Sequence, residues 1–380
     1  MRVQQNQHSS KAGSLMFEWV MKIGRPLLVL AAWCCGLGAV FAASLGLSSF
    51  VAPDYWLSDN MSFFIWQFLY GGIGGTLCAV AGFWFVRSLR GAYRLLVVIA
   101  ALATTALAVL TGLRTIENTV PPVASSTDAR EIKIVSINLE ALFLGDPVLT
   151  SYLKEVDPDI IVFQETLWNL QKWRWHQRGL PIGGPDTSVY PEHLLVGDLG
   201  ELVIFSRFPI EDTSSLIIPG VTPPGASVHY NADREILSFS INVEGRTVDL
   251  ASVHSDSPRT ARRWHNKRAY FDKMDAVIAE RLESGATPLI AIGDWNSAPW
   301  SARFQRSLEA NNLVTAYPDG IPQVTRYFFD YRLRWILGSP VDQVAVSKDI
   351  GIVDVSLGPH IGSDHRPLLV TLQLPEQAKN

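Results

Sequence analysis

Cysteine is almost absent from this 380-residue chain: there are three, Cys34, Cys35 and Cys78, and all lie in apolar stretches of the first quarter. The remaining three quarters therefore hold no disulfide and no thiolate metal site, so their stability has to come from a packed core. Charge is missing too, over three long runs: Leu27 to Ala52, Met61 to Val86 and Leu95 to Leu113. Each is near or above the roughly 20 residues needed to cross a bilayer. Three such runs exceed what the buried helices of a soluble layer supply. The first run is also too long, and begins too late, for a cleaved secretory signal. A basic excess is the third absence. Residues 1–129 carry 8 of the 32 Lys and Arg and 5 of the 36 Asp and Glu, which leaves 24 basic and 31 acidic residues in 130–380. That balance argues against a nonspecific nucleic-acid coat, which neutralises phosphates with clustered Lys and Arg, but it suits an acidic, metal-centred site. No internal repeat or low-complexity tract stands out.

What is present divides the chain in three. Residues 1–113 read as a membrane anchor with transmembrane helices over 27–50, 63–86 and 94–113, and residues 114–130 as a linker. Residues 131–375 read as one domain, long enough to bury a full core. Gly71 and Gly75 give a small-xxx-small spacing in the second span that suits close helix packing. Arg2, Lys11, Lys22 and Arg25 precede the first span, and Arg87, Arg90 and Arg94 fill the second connection. The first connection carries Asp54 and Asp59 and no Lys or Arg. The positive-inside rule then predicts a multi-pass protein of the cell membrane with a cytoplasmic N-terminus. Everything after Leu113 is expected outside, in the periplasm if the cell has an outer membrane. The linker, with Pro121-Pro122 and Ser125-Ser126-Thr127, reads as a tether reaching on the order of 50 Å when fully extended.

Within the domain, an apolar run meets polar groups five times. Ile132 to Ile137 ends in Asn138 and Glu140, Ile160 to Phe163 in Gln164-Glu165, Val248 to Val253 in His254, and Leu289 to Ile292 in Gly293-Asp294-Trp295-Asn296. Ser363-Asp364-His365 precedes the run Leu368 to Leu372. Taken singly, a strand-end Asn or Asp is usually a turn residue, a lone Glu a solvated rim charge and a lone His a packing residue. Five coincidences of one kind are much less expected than one. Alternation along an extended chain points Asp294 and Asn296 the same way with Trp295 opposed.

Helices are expected from Pro147, with Asp146 as N-cap, from about Thr260 to Glu283, and around Ser301 to Asn311. Strands are expected over Leu202 to Phe205, Glu235 to Val243 and Val341 to Ser347, with a tight turn at Glu244-Gly245-Arg246. The Trp-rich segment Leu167 to Arg178 either packs a helix on a sheet or faces substrate or lipid. The basic cluster Arg259, Arg262, Arg263, Lys267 and Arg268 is either a solvated helix face or a phosphate holder.

Together, Asn138, Glu140, Glu165, His254, Asp294, Asn296, Asp342, Asp364 and His365 form a set of oxygen ligands with two imidazoles. Oxygen-rich sites with open positions suit Mg²⁺ or Mn²⁺, whereas zinc would recruit Cys or several closely spaced His. An imidazole paired with a carboxylate can orient and deprotonate an attacking water, because His titrates near the working pH.

In this ordered set the chain resembles the endonuclease/exonuclease/phosphatase superfamily. The motifs that carry the resemblance are Asn138, Gln164-Glu165, Ser206-Arg207-Phe208-Pro209, His254, Gly293-Asp294-Trp295-Asn296, Val341-Asp342-Gln343-Val344 and Ser363-Asp364-His365-Arg366-Pro367. It covers residues 130–375 of a superfamily that includes deoxyribonuclease I, apurinic endonucleases, neutral sphingomyelinases and inositol polyphosphate phosphatases. The resemblance implies an α/β domain, a four-layered α/β sandwich with two central β-sheets. It also implies hydrolysis of phosphate esters that depends on Mg²⁺ or Mn²⁺. By the same motifs, Glu165 would be the principal metal ligand, with Asn138, Glu140 and Asp364 near the metal or its waters. His365 would be the base, paired with Asp342. Asp294 and Asn296 would hold the nucleophile and the phosphate, and His254 would contact the phosphate or help the leaving group. Arg234 resembles a recurring arginine before a strand and is a candidate substrate contact. Trp295 replaces a smaller apolar residue, a change expected to affect only packing, and Gln343 stands where many members have His.

The expected activity is a nuclease-like phosphodiesterase acting outside the cytoplasm, with the bilayer as partner of the three helices. Hydrolysis of phospholipid or inositol-phosphate headgroups is the alternative. A catalytically silent, membrane-anchored binding or sensor domain is the alternative of another class, and the intact acids and imidazoles argue against it.

Overall fold

The computed structural model describes residues 2–84, 86, 90–125, 129–181, 189–222, 224–225, 231–283 and 287–375, with side chains from Gly24 onward. Arg87, and the side chains of Arg2, Lys11 and Lys22, on which the expected orientation partly rests, lie outside the described residues, as do Ser126 and Thr127 of the expected linker. The chain forms two units: Met1–Val51 with Ile65–Gly112, and Ala52–Phe64 with Leu113–Asn380.

The N-terminal part forms α1 (Arg2–Val51), the short α2 (Trp56–Met61), α3 (Ile65–Ala81) and α4 (Arg90–Ile116). Three helical stretches, Gly24–Val51, Trp56–Trp84 and Arg90–Ile116, are long and apolar enough to cross a membrane. A Cβ at Gly75 would lie 2.8 Å from the Cys35 carbonyl oxygen and 3.0 Å from the Ala39 Cβ. The small residue is what lets α1 and α3 approach so closely.

The second unit is built on two six-stranded sheets. Its strands are β1 (Glu131–Asn138), β2 (Ile160–Gln164), β3 (His193–Val196), β4 (Val203–Ser206), β5 (Ile210–Ile218), β6 (Arg234–Val243) and β7 (Arg246–His254). Then come β8 (Leu289–Asp294), β9 (Leu313–Val314), the short β10 (Arg326–Tyr327) and β11 (Gly338–Ser339), β12 (Asp342–Ser347), β13 (Gly351–Leu357) and β14 (Leu368–Gln373). One sheet has the order β13-β14-β1-β2-β4-β3 and the other β5-β6-β7-β8-β12-β9. Their facing sides share one apolar core, in which Ile134, Val162 and Val370 of the first sheet join Phe239, Leu250 and Ile292 of the second.

The outer face of the first sheet is covered by α5 (Pro147–Val156) and α6 (Trp168–Gln177) through Leu149, Leu153 and Trp175. The outer face of the second is covered by α7 (Ala261–Glu283) and α8 (Ala302–Ala310) through Phe271, Met274 and Phe304. The result is a four-layered α/β sandwich with two central sheets. Its central strands β2 and β8 are buried on both faces, which is why they read as continuous apolar runs. Local signals hold as well. Asp146 caps α5 by accepting from Val148 N, and Glu244 and Gly245, both at positive φ, form the two-residue turn between β6 and β7. In α6, Trp175 is fully buried while Trp173 remains 58% exposed, so the Trp-rich segment is divided between packing and surface.

Two stretches depart from expectation. The linker is largely fixed to the domain rather than free. Trp300 Nε1 donates to Thr115 Oγ1 at 2.9 Å, Val120 N to the Thr315 carbonyl at 3.0 Å and Val123 N to the Ile352 carbonyl at 2.8 Å. The reason is apolar: Val120 packs against the core between the sheets. The first connection, Ala52–Phe64, is also part of the domain. Trp56 Nε1 donates to the Pro258 carbonyl at 2.8 Å, and Asp54 pairs with Arg306 at 3.0 Å and Arg268 at 3.4 Å. The buried Asp59 accepts from Trp264 Nε1 and Ser301 Oγ, both at 2.9 Å, and faces Lys267 Nζ at 3.8 Å. Two members of the basic cluster, Lys267 and Arg268, are thus engaged by the connection.

Lys267 is buried, with burial lowering its pKa and Asp59 opposing that shift. Removing Asp59 strands this ammonium, and breaking such a pair costs about 3–5 kcal/mol. Asp59→Ala is expected to lower the melting temperature of the detergent-purified chain sharply. Asp59→Ala/Lys267→Met should regain most of the loss; thermal melts of the two variants check this.

Candidate active site

Sheet register brings the strand-end residues to one rim. Parallel β1 and β2 set Asn138 beside Gln164, so Glu165 follows at the rim, and parallel β7 and β8 set His254 beside Asp294. Antiparallel β12 sets Asp342 opposite Asp294. Gly293 is required where β7 and β8 approach: its φ is +147°, and a Cβ would lie 2.1 Å from the Val253 carbonyl oxygen. Three non-glycine residues of the rim, Glu140, Glu165 and Asn296, are held at φ 46°, 51° and 44°. Such left-handed geometry is costly for an L-residue and clusters at functional sites.

Asp294 is the fully buried centre. Its carboxylate accepts from Asn138 Nδ2 at 3.1 Å, from Asn296 N at 2.8 Å and from Asn296 Nδ2 at 2.9 Å. His365 Nε2 lies 3.7 Å from it and 3.6 Å from Asp364. The other ring nitrogen of His365, Nδ1, is held by Asp342 at 2.9 Å. On the opposite side, Glu165 accepts from Asn138 Nδ2 at 3.0 Å and lies 3.4 Å from His254 Nε2. Glu140, Glu165, His254, Asn296 and Asp364 line a cavity of about 330 Å³, with Asn138, Asp294, Asp342 and His365 joined to it by the contacts above. All nine residues expected at the site therefore meet.

Three groups of the site, Arg326, Glu201 and Tyr270, had no motif to reveal them. Arg326 donates to Asp364 through Nε at 3.2 Å and Nη2 at 3.1 Å, and sits on the two-residue β10, too short to show any periodicity. Glu201 lies 3.8 Å from His254 Nδ1, and Tyr270 Oη accepts from His254 N at 3.0 Å. Both come from stretches that looked purely structural. Arg259 and Arg263, from the basic cluster, both line the cavity as the phosphate reading expected, and Arg263 also pairs with Asp256 at 2.7 Å. Arg234 also lines the cavity but is tied to Asp256 at 3.2 Å. Trp295 is fully buried and donates to the Gln343 carbonyl at 3.1 Å, while the Gln343 amide turns to the Pro340 carbonyl at 3.0 Å. The two departures from the usual motifs thus act in packing and strand-end bonding.

Charge is concentrated here. Burial would pull the His365 pKa down, but Asp342 and Asp294 outweigh it and raise it to about 9. His254 is likewise raised: burial opposes its charge, and the Glu165 carboxylate prevails. Burial pushes Glu165 up, but hydrogen bonds from His254 and Asn138 hold it far below the usual carboxylate range. Glu140 is raised by burial and by the neighbouring Asp364 charge, and Asp294 by burial and Asp342. Carboxylates that crowd one cavity and raise each other's pKa make a donor set suited to a divalent cation. Ligand atoms of Glu165, His254 and Asp294 lie within 4.8 Å of one another, as do those of Asp294, Asp342 and His365. In the second group His365 Nδ1 is already engaged by Asp342. In the first, Glu165 is open to the cavity, where Glu140 and Asp364 add carboxylates, and these acids are the better fit, with His254 held in its ion pair with Glu165.

The family model for the Endonuclease/Exonuclease/phosphatase family matches residues 141–365. No curated protein matches the chain in sequence. Among solved structures, the human Nocturnin catalytic domain with bound sulfate anion is similar at 16% identity and a TM-score of 0.46, over 64% of this chain and 94% of that one. A 3'-5' exonuclease (NExo) from Neisseria meningitidis is similar at 17% identity and a TM-score of 0.45, over 64% of this chain and all (100%) of that one. An endonuclease/exonuclease/phosphatase family protein from Bacteroides thetaiotaomicron is similar at 18% identity and 0.46, over 66% and 100%.

The carboxylate of Asp342 is the partner that keeps His365 charged. In the metal-free chain, NMR titration of His365 is expected to give a midpoint near 9. Asp342→Asn should lower that midpoint, because the amide keeps the hydrogen bond and removes the charge; an unmoved midpoint would refute the pairing.

Proposed function

The chain belongs to the endonuclease/exonuclease/phosphatase family, and from that premise we propose that it is a membrane-tethered, divalent-metal-dependent phosphodiesterase working outside the cytoplasm. The observation that carries this reading is the buried Asp342–His365 pair, whose free Nε2 is directed at Asp294 and Asp364 beside an acid-lined cavity. Asp342 fixes the orientation of His365, and Nε2, once it has given up the proton that Asp342 and Asp294 favour in the metal-free chain, can take one from a water attacking phosphorus. Asp294 and Asn296 orient that water and the phosphate. Arg326 and Arg259 supply positive charge to the phosphoryl oxygens. His254, kept protonated above its ordinary range by Glu165, lends a proton to the departing ester oxygen. Glu165, with Glu140, Asp364 and Asn138, would hold Mg²⁺ or Mn²⁺, which when bound adds Lewis-acid polarisation of a phosphoryl oxygen. A silent sensor domain would have no need of so many buried, mutually perturbed ionisable groups.

Tethering is supported by the three membrane-length helices. The sidedness reading is supported by the docking of Ala52–Phe64 within the C-terminal unit, because both were expected on one side of the membrane. The nuclease-like form stays the expectation of the family motifs, while the acidic balance of 130–380 weighs towards a lipid phosphodiester.

Two sets of measurements test these points. EDTA should abolish turnover, and Glu165→Gln should weaken metal saturation and turnover together while circular dichroism stays unchanged. Because residues acting as one unit lose function non-additively, Asp342→Asn/His365→Ala should be hardly slower than His365→Ala alone. Undiminished activity in EDTA rejects the metal, and multiplied losses reject the pair. An alkaline phosphatase fusion after Leu113 should be active, since that reporter needs an oxidising compartment. An inactive fusion there, with an active one at Arg90, would reverse the topology.

A further inference from the structure

A second cavity, of about 640 Å³, continues from the acid-lined one and shares six residues with it: Glu140, Ser257, Arg259, Asn296, Arg326 and Asp364. Its other end is apolar, lined by Phe63, Phe64, Pro258, Phe328, Phe329 and Val341. Phe63 and Phe64 come from the first connection, held in place by the Asp59, Asp54 and Trp56 contacts. The Phe64 and Phe328 rings meet at 6.0 Å and 39°. Resting on the phosphodiesterase reading, we propose that the connection completes the substrate site, and that Phe63, Phe64, Phe328 and Phe329 receive the hydrocarbon part of an amphiphilic phosphodiester drawn from a lipid bilayer.

The size suits one organic group beside a phosphate, since ligand cavities run to roughly 300–1,000 Å³. The division of the lining matches an amphiphile: charge and amides at the end shared with His254 and Glu165, rings at the other. Reading of a nucleobase is disfavoured, because the side-chain donors of Asn60 and Tyr327 at the apolar end are already engaged. Asn60 Nδ2 donates to the Trp56 carbonyl at 2.7 Å, and Tyr327 Oη to the Ser363 carbonyl at 2.8 Å. The segment between Phe328 and Leu337, closed by a 2.7 Å backbone hydrogen bond, carries exposed apolar side chains: Phe329 at 94%, Trp335 at 59% and Ile336 at 65%. Arg332 and Arg334 accompany them, the mixture expected of a surface that rests at a membrane interface. The apolar lining and its continuity with the cavity that would take the phosphate thus point to one occupant.

The test uses the full chain in phosphatidylcholine discs with Mn²⁺ and two p-nitrophenyl phosphodiesters, one with a methyl and one with a hexadecyl group. The unmodified chain is expected to hydrolyse the hexadecyl ester with at least tenfold higher kcat/KM. In Phe64→Ser and in Phe329→Ser, the long-to-short ratio of kcat/KM should fall at least tenfold. Phe329 is so exposed that its replacement leaves the fold intact, and melting curves check Phe64→Ser. A ratio unmoved in both variants overturns the inference, as does faster hydrolysis of an oligonucleotide than of the hexadecyl ester. Hydrolysis of neither ester by the unmodified chain means that the phosphodiesterase reading has failed and this inference with it.

Discussion

A carboxylate removed from water and left alone is driven neutral, so the fully buried Asp294 sets a demand that the rest of the domain has to meet. Donors reach it from both sheets, Asn138 from the end of β1 and Asn296 from just after β8, and His365, just ahead of β14, faces it at 3.7 Å. Those donors can arrive only if the two sheets pack face to face with their strand ends level. That alignment is supplied by the apolar core between them, and by Gly293, which allows β7 and β8 to close on each other. The site is thus a by-product of register. A one-residue slip in β8 would turn Asp294 to the other face and leave Asn138 and His365 without their partner.

The same dependence explains what could be read from the residues alone. Apolar runs that end in polar groups report register directly, which is why Asn138, Glu165, His254, Asp294 and His365 were legible as a set, whereas the four-layered sandwich was expected from the family resemblance that those motifs carry. Arg326 left no such trace. It enters through a two-residue strand, and its contact with Asp364 joins positions 38 apart. The role of Ala52–Phe64 was hidden for a different reason. Asp54 and Asp59 read naturally as the acids of an outer loop, because nothing in the sequence ties them to Arg306, Trp264 and Ser301, partners 205–252 residues further along the chain. Prolines at 121 and 122 likewise suggested a free tether, whereas Val120 contributes enough apolar contact to hold the segment down.

Anchor and domain are consequently not separable in the usual way. The boundary by composition falls near residue 113, but the folded unit that contains the site includes thirteen residues, Ala52–Phe64, from within the apolar third of the chain. Asp59 answers Lys267, and Phe63 lies under the same ammonium at 5.3 Å from its ring centroid. A fragment beginning after the third helix would expose Lys267, Trp264 and the apolar end of the larger cavity together.

That arrangement also imposes a timetable on biogenesis. Asp59 is made 205 residues before Trp264 and 242 before Ser301. At roughly 5–20 residues per second, the connection waits about 10–50 s for its partners. Throughout that interval Trp56, Phe63 and Phe64 are synthesised but uncovered, next to helices already able to enter a bilayer. On the tethered reading proposed above, insertion of the first two helices would have to finish without drawing these aromatic residues in after them, and the acids Asp54 and Asp59 that later secure the domain would be the groups opposing such over-insertion.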